Sequence, residues 1–117
     1  HRGGFGTIRE YRIENPTGGS LLASLGRSVH PPWGIDGGEP GTVNSFEVVR
    51  VDGEVVRGGR VTSLPLGKGD IVRIVTGNGG GWGDPRERPD DEIARDIADG
   101  FISPEAARAA YGREVAR

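Results

Sequence analysis

At 117 residues the chain suits one domain with a single modest core. Its 15 Lys+Arg against 17 Asp+Glu give neither the basic excess of a nucleic-acid binder nor an acidic solvating arm. Zero cysteines exclude disulfides and thiol chemistry within the chain, and no apolar run approaches the ~20 residues that a membrane helix needs.

Glycine is the anomaly, at 22 of 117 residues against a usual share of roughly 7%. The glycines cluster at 3–6, 18–19, 37–41, 67–69 and 77–83 with no three-residue period. That pattern argues against collagen and for tight turns and close backbone approaches. The chain starts "HRGGFG" without methionine and shows no secretory signal, so it is expected to be part of a longer, cytoplasmic protein.

In chain order, "TIREYRIE" (7–14) alternates apolar and charged residues as a half-wet strand does. "NPTGG" (15–19) is a turn, and "SLLASLGRSVH" (20–30) is read as a second strand. The prolines and glycines of "PPWGIDGGEPG" (31–41) forbid regular structure. "SFEVVRVDGEVVRG" (45–58) predicts a hairpin, with Asp52-Gly53 as a two-residue type I′ turn and both residues at positive φ. "GRVTSLPL" (59–66) and "DIVRIVTG" (70–77) are two further strands. Arg9, Arg12, Arg50 and Arg57 are expected on solvated strand faces.

The period then changes. Pro89 near a helix start, acids at 90–92, Ile93 and Ile97 on one face and Gly100 as a stop predict a helix over 90–99. Ser103 as N-cap, Pro104 and Gly112 predict a second over 104–111. The fold class is therefore mainly β with C-terminal helices (α+β), an antiparallel sandwich or barrel-like sheet followed by two short helices. Residues 1–117 form a single domain in this reading: β body 1–77, glycine-rich loop 77–85, helices about 90–112.

Few residues offer chemistry. With only His1 and His30, a nitrogen-rich metal site is not expected, and no nucleophile elbow is present. The loop "GNGGGWGDP" (77–85) fails GxGxxG because Trp82 occupies the third glycine position. "LGKG" fails as a Walker A loop because Thr62 replaces its first glycine and Gly69 follows Lys68. Two roles are open to 77–85. It is a wide turn against which other backbone packs, or the wall of an active site, with Gly79, Gly80, Gly81, Trp82 and Asp84 facing substrate. Trp82 is expected to be partly buried against the sheet or first helix, and Gly80→Ala to cost little within this chain. For Asp84 the plainer role is an Asx-turn before Pro85. "GRSVHPPWG" (26–34) is the second candidate. Arg27, His30 and Trp33 beside a rigid diproline suit an anionic or amide ligand. In its plainer reading Trp33 plugs the sheet end while Arg27 and His30 face water.

Four stretches together, "RGGFGTIREYRI" (2–13), "HPPWGIDGGEPG" (30–41), "LPLGKGDIVRIVTGNGGGWGDPRERP" (64–89) and "DIADGFISPEAARAAYG" (96–112), resemble the C-terminal part of the hydantoinase B / 5-oxoprolinase family. The resemblance runs through nearly the whole chain. It implies a C-terminal fragment of an ATP-dependent enzyme, a hydantoinase, an oxoprolinase or a related ketone carboxylase, that opens or activates a cyclic amide or a carbonyl. It implies as partners the rest of the same chain and an A-type subunit or domain that handles ATP with Mg. Any further metal would be held outside this fragment. It assigns no catalytic residue to the matching motifs. Phosphorylating a lactam oxygen turns it into a leaving group, and a water-excluding site must hold the intermediate. An accessory domain inactive alone and a structural or subunit-docking module are both compatible with that.

Overall fold

A computed structural model describes residues 1–113. Six strands form two antiparallel sheets. β1 (Ile8–Arg12), β6 (Ile71–Val75), β3 (Ser45–Val49) and β4 (Val55–Gly58) make a four-stranded sheet in that order, while β2 (Gly19–Ser24) pairs β5 (Arg60–Leu66). The mainly antiparallel β class with two C-terminal helices is the one expected. The strand read over 20–30 is shorter, because the backbone turns after Ser24 and Arg27 takes φ +50°.

Alternation along β3 explains the core. Phe46 and Val48 face inward and are almost fully buried, and Val48 is the register partner of buried Val72. They pack with Ala23 and Leu66 from the two-stranded sheet. Pro65 has no N–H to donate, and β5 tolerates it because β5 has only one strand neighbour. The opposite face of the larger sheet carries a charge ladder in register across four strands. Glu10 meets Arg73 at 2.6 Å, Arg73 meets Glu47 at 3.0 Å and Glu47 meets Arg57 at 2.9 Å.

Two details of the hairpin differ from expectation. Its loop has three residues, not two. Arg50 N–H donates to Glu54 O, Gly53 N–H donates to Arg50 O, and only Gly53 takes positive φ, at +91°. The Asp52 carboxylate instead accepts the Glu54 N–H, a local bond that holds Asp52 out of the left-handed region. Arg50 is not solvated either. Its guanidinium reaches buried Asp70 at 2.7 Å and the Pro65 carbonyl at 2.7 Å, tying the hairpin to the β5–β6 turn.

Helix α1 (Asp90–Ala98) starts after Pro89, with three acids in its first turn, and Gly100 follows it at φ +75°. In α2 (Pro104–Tyr111) the Ser103 hydroxyl accepts the Ala106 N–H, and Gly112 closes the helix in the left-handed region. Ile93, Ile97 and Ala107 form a second, small core. The molecule is elongated at 54 × 27 × 18 Å. Its radius of gyration is 18.1 Å, against about 13 Å for a compact chain of this length. No helix among the described residues is long and apolar enough to cross a membrane.

Candidate functional site

β1, β6 and β3 share one end of the sheet, where Ile8 and Ser45 both pair with Val75. Beyond that end the chain continues as three segments, 1–6, 33–43 and 77–83, with the last in the middle. On one side of it, Thr76, Gly79 and Trp82 N–H groups donate to Thr7, Gly4 and His1 carbonyls at 2.8–2.9 Å. The donors advance by three residues, the repeat of an extended three-residue helix, whereas a pleated ladder advances by two. On the other side, Gly81 N–H donates to Glu39 O, Ile35 N–H to Gly81 O and Gly83 N–H to Ile35 O. The Asn78 carboxamide oxygen accepts from Thr42 N–H and Oγ1, both at 2.7 Å.

Glycine is required by this packing. The pairs Gly3/Gly6, Gly38/Gly41 and Gly77/Gly80 are each three residues apart, and an ideal Cβ on any of them would overlap a carbonyl of the neighbouring segment. The three-residue step is local to each segment, which is why no chain-wide period is visible.

The candidate residues fall into this layer unevenly. Gly80 lies against the Trp33 peptide, and Gly79 and Gly81 spend their N–H groups on Gly4 and Glu39 carbonyls instead of presenting them to an anion. Trp82 is not buried against sheet or helix. It is 52% exposed, its ring stacks on His1 at 5.3 Å, and its Nε1–H donates to Asp36 at 2.8 Å. The polar Nε1 favours this wet position. Trp33 does not plug the sheet end. It is 69% exposed, with the Arg27 guanidinium 5.0 Å from its ring centre. His30 is exposed nearby in sequence. Asp84 takes the Asx role. It accepts the Arg86 N–H at 2.9 Å and caps a short 3-10 turn, Pro85–Glu87. Hydrogen bonds from the Arg86 side chain, then from its backbone N–H, hold the Asp84 carboxyl down at about 2.

A cleft of about 270 Å³ opens between the glycine layer and α2, lined by Arg2, Glu39, Asn78, Arg88 and Tyr111 among others. Its floor is a buried ion cluster that the sequence reading missed. Arg88 Nη2 meets Asp96 at 2.5 Å, Arg88 Nη1 donates to the Tyr111 hydroxyl at 2.9 Å, and Arg2 Nε donates to Asp96 at 3.0 Å. Arg88 Nε is buried without a hydrogen-bond partner, 3.5 Å from Glu92. Part of the signal was present in sequence: Glu92 and Asp96 step by four and share one face of α1, while Arg88 reaches them from the extended stretch before the helix. The arrangement gives a small cleft both cationic donors and a hydroxyl on rigid supports. Among the described residues, no three His, Asp or Glu side chains stand together as a metal set.

Residues 1–85 match the family model described as hydantoinase B/oxoprolinase, and the chain belongs to that family. It is 33% identical over 95% of its length to a protein of Pseudomonas sp. strain NS671 provisionally named as the B-type subunit of a D-/L-hydantoinase. The fold resembles that of an ATP-dependent caprolactamase from Pseudomonas jessenii, with TM-score 0.53 and 24% identity over 94% of this chain. It also resembles an acetone carboxylase in its nucleotide-free structure, with TM-score 0.56 and 20% identity over 68% of this chain. The chain spans only 19% of the hydantoinase relative, 18% of the caprolactamase chain and 15% of the carboxylase chain.

Proposed function

We propose that the chain is the accessory C-terminal domain of an ATP-dependent cyclic-amide hydrolase of the N-methylhydantoinase or 5-oxoprolinase type, inactive by itself and cytoplasmic. The observation that carries this reading is the cleft. One wall is the glycine layer, which falls in the family-matched stretch, and the other is α2 with Tyr111. Backbone packed this tightly does not yield, so it can hold a neighbouring site in shape and keep water out. ATP with Mg, and any further metal, would be handled by the rest of the parent chain and an A-type subunit. In the cleft, Arg2, Arg88 and Tyr111 would turn cationic donors and a hydroxyl toward an amide substrate. Arg27, Trp33 and Trp82 lie outside its lining and would supply a cation and flat apolar surface elsewhere along the substrate or partner.

The test is Trp33→Ala in the full-length enzyme with its A-type partner. The ring is 69% exposed, so the fold should tolerate the change. Loss of ATP-coupled ring opening with co-purification intact supports this reading. Loss of co-purification supports a second one, a subunit-docking module of a related ketone carboxylase, which the exposure of both tryptophans favours.

A further inference from the structure

We infer that Arg2, Phe5 and Phe101 form the anchor through which this domain docks onto the remainder of its own parent chain, an inference that rests on the C-terminal-domain reading above. The Phe5 and Phe101 rings lie 4.9 Å apart, bringing the glycine layer to the α1–α2 connection, yet they stay 55% and 50% exposed. The Arg2 guanidinium sits 4.3 Å from one ring centre and 5.0 Å from the other, held by its bond to buried Asp96. Two aromatics and an arginine, already fixed before any partner arrives, are the composition and rigidity of an interface hot spot.

Several observations name the occupant. Arg2 and Arg88 share Asp96, and Glu92 lies 3.5 Å from Arg88, so two cations face two carboxylates. The anchor therefore offers an apolar surface with its charges already partnered, and it fits an apolar face of the partner. β1 begins three residues after Phe5, and all five of its residues are exposed, including Ile8 at 66% and Tyr11 at 52%. The accessible surface is 7766 Å², where a compact 12.4 kDa protein shows roughly 6,100 Å². An excess on the order of 1,600 Å² is ample for an inter-domain contact of about 600–1,500 Å². The hydantoinase relative carries this stretch as 19% of its length, so a much longer stretch of its own chain is at hand, at a high effective concentration.

The experiment uses the full-length parent chain, freed of other reactive cysteines, without its A-type partner. Gly4→Cys, beside Phe5 and with open space at its Cβ, and a control, Val51→Cys at the 73% exposed hairpin tip, are labelled with a maleimide, so that both rings of the anchor stay in place. Gly4→Cys should react about tenfold or more slowly than the control in the native chain, and equally in denaturant. Equal native rates overturn the inference. So does protection that appears only when the A-type chain is added, since the occupant is then the other subunit. Labelling does not depend on turnover, so this result stands apart from the catalytic test.

Discussion

The Gly80 backbone lies against the Trp33 peptide so closely that an ideal Cβ on Gly80 would stand 2.6 Å from the Trp33 carbonyl carbon, and nearer still to its oxygen. The obstacle is backbone on both sides and cannot rotate away. Gly80→Ala should therefore destabilise this 117-residue chain itself, by about 1–3 kcal/mol or more, contrary to the sequence expectation of little cost. Gly4 has nothing within 4 Å of an ideal Cβ, so Gly4→Ala is the matched control and should be near neutral. Urea midpoints of the two variants decide the matter, and equal midpoints would falsify the close-packed layer.

The hairpin gives a second contrast. Gly53 at φ +91° cannot accept a β-branched residue without strain, so Gly53→Val should cost about 1–2 kcal/mol or more. Asp52 is outside the left-handed region and bonds the Glu54 N–H, so Asp52→Gly should also destabilise, by roughly 0.5–1 kcal/mol. A two-residue type I′ turn requires the reverse for Asp52→Gly, and thermal melts of the pair distinguish the two loops.

Arg88→Ala should cost about 3–5 kcal/mol, because it leaves the Asp96 carboxylate buried beside only one remaining cation. Arg2→Ala should cost less, since Arg2 is one-third exposed and Asp96 keeps Arg88. The loss should be concentrated in the helices, read as faster amide exchange in α1 and α2 with the β3 and β6 amides unchanged. Uniform acceleration across both cores would contradict it.

Stability should fall in acid. Asp84 is held at about 2, below its usual 3.8, by the Arg86 side chain and then its backbone N–H. Asp70 is also lowered, first by the Gly67 N–H and then by Arg50. Both carboxylates bind protons more readily when the chain unfolds. Their stabilisation is present above about pH 4 and is lost as pH falls through the folded values, toward about 2 for Asp84. Asp70→Asn should flatten that part of the stability–pH curve, as followed by urea denaturation at stepped pH.

Much of this protein was legible in one dimension. The β-branched runs of "SFEVV" and "IVRIV", the Ser103 and Gly112 helix signals and the Ile93/Ile97 spacing place strands and helices, because each depends on neighbours a few residues apart, whereas the single core expected from length is two separate clusters. The family motifs were readable for the same reason. Tertiary structure decided the rest. Gly3, Gly38 and Gly80 are glycines because three distant segments pass within backbone contact, and a three-residue step of only two positions per segment leaves no chain-wide period. Trp82 stayed exposed because its ring stacks on the exposed His1 ring at the rim of the layer and turns its Nε1–H to Asp36, contacts that only the folded chain brings together. Arg2, Arg88 and Asp96 are 94 and 8 residues apart, and only folding brings two cations onto one buried carboxylate, where low dielectric makes the cluster matter.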